Sequence, residues 1–298
     1  MSLNEILILA FPESRIQAKQ LANKLTLTYQ EIKIHRFPDG ESKLTLPAAL
    51  PEHVIFFCSL DQPNNKLVEL LLASQTAREQ GCKQLTLIAP YLCYMRQDKA
   101  FVPGEAVSQR IIGQFLAQLF DNVITVDTHL HRVHSLDEAI PTINSLNLTA
   151  ASLLGEFLKK ENLQPLILGP DSESHQWASQ IAKTGNFNYV IAEKQRFGDR
   201  SVTIQLPDTD FSNQTVVIVD DVISSGHTIA EAAEKVLAAG AASVHCLITH
   251  PLFAEGAVNL LKSSGVQHIW STDSITHASN VVSLAPLFAS TIKDLFTH

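Results

Sequence analysis

The chain is sparing with the residues that mark a membrane span, an export route or a disulfide scaffold. Of its 298 residues only 4 are cysteine, 2 tryptophan, 2 methionine and 12 glycine. Cys58, Cys82, Cys93 and Cys246 show no C-x-x-C spacing, which argues against a zinc knuckle and a disulfide framework and predicts small buried hydrophobes in a reducing cytoplasm. Apolar runs such as Ile6–Phe11 fall far short of the about 20 residues that cross a bilayer, so no membrane partner is expected. Asn4-Glu5 is not a basic n-region, so no export signal is expected either. Lys and Arg number 22 against 30 Asp and Glu, for a formal charge of −8, and like charges nowhere run in blocks. That balance disfavours nucleic acid bound through phosphate contacts. Neither G-x-x-x-x-G-K-[ST] nor G-x-G-x-x-G occurs, so any phosphate chemistry must use another scaffold.

What is present is a rhythm. Short β-branched runs alternate with stretches of helical period: Ile6–Ala10 precedes a helical stretch over 14–25, Val54–Cys58 one over 66–80, and Leu85–Ala89 one over 106–119. Such alternation predicts the α/β class, a parallel sheet with helices on its faces. Leu27–Phe37 and Ser42–Leu46 read instead as two strands joined by the turn Pro38-Asp39-Gly40. After residue 140 the pattern restarts, with strands at Leu166–Gly169, Tyr189–Ala192, Val216–Asp220 and Val244–Ile248 and helices over 150–160, 174–183 and 229–239. Two echoes suggest duplication: Leu85–Tyr91 resembles Pro165–Asp171, and Val123–Asp127 resembles Val216–Asp220. The boundary is expected near Pro141–Asn147, dividing 1–145 from 146–298.

The segment from Val216 to Ile229 carries the most chemistry. Four apolar residues end in Asp220-Asp221, which places two carboxylates at the carboxyl edge of a sheet, where open α/β folds bind ligands. Ser224, Ser225, Gly226, His227 and Thr228 then offer hydroxyls and backbone N–H groups at a helix start, a nest for a phosphate monoester, while the aspartates can accept from vicinal sugar hydroxyls. Taken singly, Ser225 or Thr228 reads equally as an ordinary N-cap. Asp127-Thr128-His129 closes a strand of the first half; with His131 and His134 it forms a histidine cluster that reads as a metal site or as surface helix residues, His129 being nearest the strand end. Arg96, Gln97 and Asp98 follow another strand, a charged fork and an amide beside aromatic rings, which suits a purine and its phosphates as well as a solvated loop. Asp171 ends its strand and could hold a hard cation. Glu193-Lys194-Gln195-Arg196 alternates two cations on an extended chain, able to neutralise a phosphoryl group or to face solvent.

In order along the chain, Arg36-Phe37-Pro38-Asp39-Gly40-Glu41, Tyr91 with Tyr94–Lys99, Pro103–Ser108, Asp127-Thr128-His129, Gly169-Pro170-Asp171, Glu193–Arg196, Asp220-Asp221 with its loop, and Ser283–Leu287 resemble the ribose-phosphate pyrophosphokinases over nearly the whole length. Pro103-Gly104-Glu105-Ala106 is closer to their archaeal-type branch. The resemblance implies two phosphoribosyltransferase-like domains related by internal duplication, each a mainly parallel twisted sheet flanked by helices, with the last helix packing back on the first domain. It implies diphosphoryl transfer from MgATP to ribose 5-phosphate in a cytoplasmic homo-oligomer. Carried over, Phe37, Asp39, Gly40 and Glu41 belong to a nucleotide pocket shared across a subunit interface, with Arg96, Gln97 and Asp98 beside the nucleotide. His129 and Asp171 are implied at the Mg²⁺ site, His129 also near the ATP phosphates and in catalysis. Lys194 and Arg196 are implied in a catalytic loop, Arg196 also near the sugar phosphate. Asp220 and Asp221 are implied at the sugar hydroxyls, and Ser224, Ser225, Gly226, His227 and Thr228 at the 5-phosphate.

The chain departs from the family pattern in two places. His227 stands where a glycine usually lets backbone approach phosphate, so its φ is expected to be negative or strained. After Asp171 the family has small residues followed by Arg-Ala, whereas Ser172–Ala178 is bulkier and lacks that arginine. Two other readings stay open on sequence alone: a catalytically silent regulatory homologue, and a phosphoribosyltransferase.

Overall fold

Every residue of Ile6–Ala10 and of Leu166–Gly169 is buried, as expected of strands covered on both faces. The computed structural model describes residues 5–130, 133–197 and 201–296, and of 194–197 and 201–202 the backbone alone. Contacts divide the chain into two units: unit 1 is Met1–Leu148 with Leu284–His298, and unit 2 is Thr149–Ser283.

Unit 1 runs β1 (Ile6–Ala10), α1 (Arg15–Leu25), β2 (Thr28–Glu31), β3 (Lys33–Arg36), β4 (Ser42–Thr45), β5 (His53–Phe57), α2 (Pro63–Glu79), β6 (Gln84–Ala89), α3 (Ser108–Leu119), β7 (Asn122–Val126), α4 (Leu136–Ala139) and β8 (Asn144–Leu148). Six strands form a parallel sheet in the order β2-β1-β5-β6-β7-β8, and β3 and β4 form a separate antiparallel hairpin. Unit 2 runs α5 (Ala151–Lys160), β9 (Leu166–Gly169), α6 (His175–Gly185), β10 (Asn188–Ile191), β11 (Glu193–Phe197), β12 (Ser201–Gln205), β13 (Thr215–Ile223), α7 (His227–Ala238), β14 (Ser243–Pro251), α8 (Ala257–Ser263), β15 (Val266–Thr272) and β16 (Asn280–Val282). Its parallel sheet has the order β10-β9-β13-β14-β15-β16, with β11 and β12 as the hairpin. The final helix α9 (Ala285–Phe296) packs against α1, and its Phe288 ring meets Phe57 edge-on at 5.9 Å.

The two units thus repeat one topology, each with a hairpin after its edge strand. In that repeat β9 matches β1, β13 matches β5, β14 matches β6 and β15 matches β7. The echoes expected from sequence paired β6 with β9 and β7 with β13, which are not equivalent strands. Buried strands draw on so few residue types that such short likenesses arise without common position. The equivalent segments keep a constant spacing instead: Glu13-Ser14 matches Glu173-Ser174, and Ala18, Gln20, Ala22, Tyr29, Arg36 and Phe37 match Ala178, Gln180, Ala182, Tyr189, Arg196 and Phe197. Both α1 and α6 end on a residue with left-handed backbone, Thr26 and Asn186, each at φ +57°.

Three boundaries differ from the sequence reading. Leu27–Phe37 is two strands, because Ile32, fully buried, donates its N–H to Ala10 O at 2.9 Å and ends the ladder with β1; β3 then leaves the sheet. β13 continues through Asp220 to Ile223, since β14 keeps pairing beyond the point where β9 has ended. The stretch 141–147 includes most of β8, a short, largely polar edge strand whose residues are partly or fully exposed.

All four cysteines are buried and free. Burial pushes their thiols up, that of Cys93 to about 12, which leaves them inert near neutral pH.

On unit 2, His245 of β14 is 6% exposed and its ring lies 5.1 Å from His268 and 5.0 Å from Trp270. Burial, then the charge of His268, hold its imidazole below the ordinary value. The unfolded chain takes up this proton near pH 6.5 and the folded chain only at lower pH, so stability falls as pH drops through that interval. His245→Phe keeps a ring in the stack and is expected to flatten the acid side of the thermal-stability profile below about pH 6.5. An unchanged slope in melting scans across that range would place the proton uptake elsewhere.

Candidate active site

In unit 1 the turn Phe37–Gly40 is closed by a bond from Gly40 N–H to Phe37 O at 2.9 Å, and Phe37 N–H donates to Glu41 O at 2.8 Å. Gly40 sits at φ +93°, the left-handed position that follows such a turn in a short hairpin and that favours glycine. Asp39 Oδ1 accepts from Glu41 N–H at 3.2 Å, which fixes the backbone locally. Phe37 is 41% exposed and its ring meets that of His35 in a T-shaped contact at 4.7 Å, so the turn presents an aromatic side chain outward.

Arg96, Gln97 and Asp98 lie in the loop after β6. That loop is pinned at Tyr94, whose φ is +61° and whose hydroxyl donates to Asn64 of α2, and at Gln97, whose carbonyl accepts from Gln109 N–H of α3 at 3.2 Å. Arg96 remains exposed. Beyond the neighbouring strand β7, Asp127 is buried at φ +40°, costing about 1–2 kcal/mol for a residue with a Cβ. Its N–H bonds Leu148 O at 2.8 Å, and Thr128 N–H bonds Asn147 Oδ1 at 2.9 Å, so β8 holds the strained corner that presents His129. Strain held in place by its surroundings is a frequent mark of a site. The residues at 96–98 and 129 therefore follow neighbouring strands of one sheet, while 37–41 ride on the separate hairpin. His131 lies outside the described residues.

In unit 2, Asp171 follows β9 and caps the turn after it, its Oδ1 accepting from Glu173 N–H at 3.1 Å and Ser174 N–H at 3.2 Å. This cap orients the carboxylate. In the repeat, the fully buried Phe11 occupies the matching place in unit 1, so the acid is specific to unit 2. Asp220 and Asp221 follow on β13 beyond the end of its pairing with β9, and Asp220 feels the charge of Asp171. Burial, then the charges of Asp221 and Asp171, push Asp220 well above the usual carboxylate range. Asp221 is 3% exposed and its N–H donates to Asp220 Oδ1 at 3.0 Å.

The next residues form a short loop, Ser224–Gly226, before α7. Ser224 O accepts from Ala254 N–H at 2.8 Å, which ties the loop to the segment after β14. Gly226 takes φ +82° as the helix cap, and His227 is already the first helical residue. The positive φ therefore falls one residue before the unusual histidine, whose Cβ requires no strain. Among the described residues the N-cap of α7 is Gly226, with no side-chain cap bond, so Ser225 and Thr228 do not act as N-caps. Lys194 and Arg196 lie on β11, opposite Ile204 and Val202 of β12 in an antiparallel hairpin; their side chains lie outside the described residues.

Among the described residues no group of three or more His, Cys, Asp and Glu side chains is arranged to cage a metal. The crowded carboxylates of Asp171, Asp220 and Asp221 nevertheless form an acidic edge whose charge a cation would relieve. No helix among the described residues is long and apolar enough to cross a membrane.

Two parallel sheets of one topology, one with an acidic strand edge beside an open helix start, define a protein of the double phosphoribosyltransferase type. Residues 6–119 match the N-terminal domain of ribose phosphate pyrophosphokinase, and residues 142–284 match the phosphoribosyl transferase domain. The chain is 32% identical to a ribose-phosphate pyrophosphokinase of Methanopyrus kandleri, over 97% of this chain and 99% of that protein. It is 33% identical to one of Saccharolobus solfataricus, over 86% and 89%. The crystal structure of phosphoribosylpyrophosphate synthetase from Mycobacterium smegmatis has the same fold, with a TM-score of 0.84 at 23% identity, over 98% of this chain and 99% of that one. The chain belongs to the ribose-phosphate pyrophosphokinase family.

Proposed function

We propose that the protein is a ribose-phosphate diphosphokinase, which transfers the β,γ-diphosphoryl group of MgATP to the 1-hydroxyl of ribose 5-phosphate and gives 5-phosphoribosyl 1-diphosphate and AMP. The observation that carries this reading is the acidic edge of unit 2 next to the uncapped start of α7. Carboxylates of Asp220 and Asp221 accept from the 2- and 3-hydroxyls of the sugar. The 5-phosphate rests on Ser224, Ser225, Gly226, His227 and Thr228, where backbone N–H groups and the helix dipole favour an anion.

On the nucleotide side, the Phe37 ring takes the adenine face, Asp39 and Glu41 accept from ribose or amino groups, and Arg96, Gln97 and Asp98 hold the other edge and the phosphates. The exposed ring of Phe37 suits a turn that completes the pocket of another copy, so the active protein is at least a dimer. In this reading His129 of unit 1 and Asp171 of unit 2 would each offer a ligand to Mg²⁺. Bound there, the cation would supply positive charge that offsets the charge of the phosphates.

The sugar 1-oxygen attacks the β-phosphorus, the bond from that phosphorus to the bridging α–β oxygen breaks, and AMP leaves with that oxygen; the proton of the 1-hydroxyl passes to solvent. Lys194 and Arg196 offset charge on the transferring group, and His129 stands near the ATP phosphates in this reading. Catalysis here is chiefly positioning and charge neutralisation. A cytoplasmic location fits the four free thiols. The test is an incubation with MgATP and ribose 5-phosphate, its products resolved by chromatography and mass. Equal amounts of AMP and a ribose carrying a 1-diphosphate are expected; ADP in place of AMP would overturn the reaction.

A further inference from the structure

Glu69 of α2 is fully buried, unusual for a carboxylate, and its partners explain why. Its Oε1 accepts from Arg36 Nε at 3.1 Å and from Ser42 Oγ at 2.8 Å, and its Oε2 accepts from Arg36 Nη2 at 3.4 Å. Arg36 and Ser42 are directly opposed across β3 and β4, the last pair before the turn Phe37–Glu41. One buried carboxylate therefore grips both feet of that turn. Arg36 Nη2 also meets Glu13 Oε1 at 3.3 Å, a half-exposed contact worth little by itself.

A tie of the same kind occurs in unit 2, two ladder pairs further from the turn. α7 follows β13 as α2 follows β5, and its Glu231 accepts the backbone N–H of Ile204 on β12 at 2.9 Å, while Lys235 one turn on bonds the Ile204 carbonyl and pairs with Glu231 at 3.0 Å. Ile204 stands directly opposite Lys194 in the hairpin register. In each unit the helix after the third strand of the repeat thus carries a glutamate that ties the hairpin to the unit.

We infer that Glu69 and Glu231 are the positioning residues of the two hairpins. Glu69 sets the turn that binds the nucleotide, and Glu231 sets the strand that bears Lys194 and Arg196. The inference rests on the proposed roles of those hairpins. Neither glutamate touches substrate; each acts through the hairpin it holds.

The experiment is steady-state kinetics on Glu69→Met and Glu231→Met, with thermal melting and calorimetric binding of α,β-methylene-ATP, in which the bond to be broken is blocked. Methionine fills the volume without the acceptor oxygens, and Arg36 is 47% exposed, so its charge can turn to water. Glu69→Met is expected to raise KM for ATP and the Kd of the analogue about tenfold, with kcat and KM for ribose 5-phosphate within about twofold; this is milder than the 10²-fold that a 1 Å misplacement at reacting atoms can cost. Glu69→Gln, which keeps acceptor capacity, is expected to recover part of the loss. Glu231→Met is expected to lower kcat about tenfold with both KM values little changed.

If Glu69→Met does not fold, Arg36→Lys, which keeps the charge but loses the planar fork, must shift the same two constants in the same direction. Unchanged nucleotide constants in that variant or in Glu69→Met, or equal losses toward both substrates, would overturn the inference. Phe37→Ala separates it from the reading beneath. If Phe37→Ala leaves ATP affinity intact, the nucleotide role of the turn fails. If Phe37→Ala weakens ATP and Glu69→Met does not, the positioning role alone fails.

Discussion

Replacing Lys194 with alanine is expected to lower kcat roughly 10²–10³-fold while the affinity for ATP changes little. The transferring group passes through a loose state with charge spread over its oxygens, and a cation that acts there stabilises the transition state more than the bound nucleotide. The fold gives the hairpin that bears Lys194 a firm base, because the opposing Ile204 is held by Glu231 through its N–H and by Lys235 through its carbonyl. The comparison within the chain sharpens the expectation. At the spacing that aligns the two units, Lys194 falls opposite Ile34, a residue packed against the core of unit 1. The repeat thus keeps the arginine, as Arg36 and Arg196, but places the lysine in unit 2 alone. Rapid-quench measurement of the transfer step beside equilibrium binding of α,β-methylene-ATP separates the two effects. A loss confined to KM would make Lys194 a substrate anchor instead.

Asp220→Asn is expected to stabilise the metal-free protein at neutral pH and to weaken ribose 5-phosphate binding roughly 10–100-fold, the equivalent of about 1.5–3 kcal/mol for a hydrogen bond to a charged group. The sign follows from the raised carboxyl: the unfolded chain gives up this proton in the ordinary carboxylate range, the folded chain only at higher pH. Stability therefore declines as pH rises from the ordinary range through the raised value, and that decline disappears when the residue cannot ionise. Melting scans from acid to neutral pH in a chelating buffer, paired with titration of ribose 5-phosphate, read both effects. A lower melting temperature in the variant would mean that Asp220 is favourably paired in the native state. Unchanged sugar-phosphate affinity would remove it from the site.

Much of this arrangement is legible in the sequence because it is local. The turn Pro38-Asp39-Gly40 needs only its own residues to close, and it does so with Gly40 at positive φ. Asp220-Asp221 after four apolar residues reads at once as an acid pair near a sheet edge, although the strand runs further than the apolar run implies, since β14 supplies ladder partners as far as Ile223. What escapes the sequence depends on remote partners. Across Ile32 the strand-like composition continues, and only the bond to Ala10 decides where the sheet ends. Glu69 looks like one acid among several on a helix until Arg36 and Ser42 arrive from the hairpin. The strain at Asp127 comes from two bonds to β8 and has no local mark. The constant spacing from Glu13 to Phe37 and from Glu173 to Phe197, by contrast, is visible in the sequence alone and would have aligned the halves correctly.

The central claim is that a diphosphoryl group moves as one piece, and ATP labelled with ³²P at the β-phosphorus tests it most directly. After incubation with Mg²⁺ and ribose 5-phosphate, the label is expected in a sugar 1-diphosphate, with unlabelled AMP released in equal amount. Label retained in ADP while the sugar gains a single unlabelled phosphate would contradict the account.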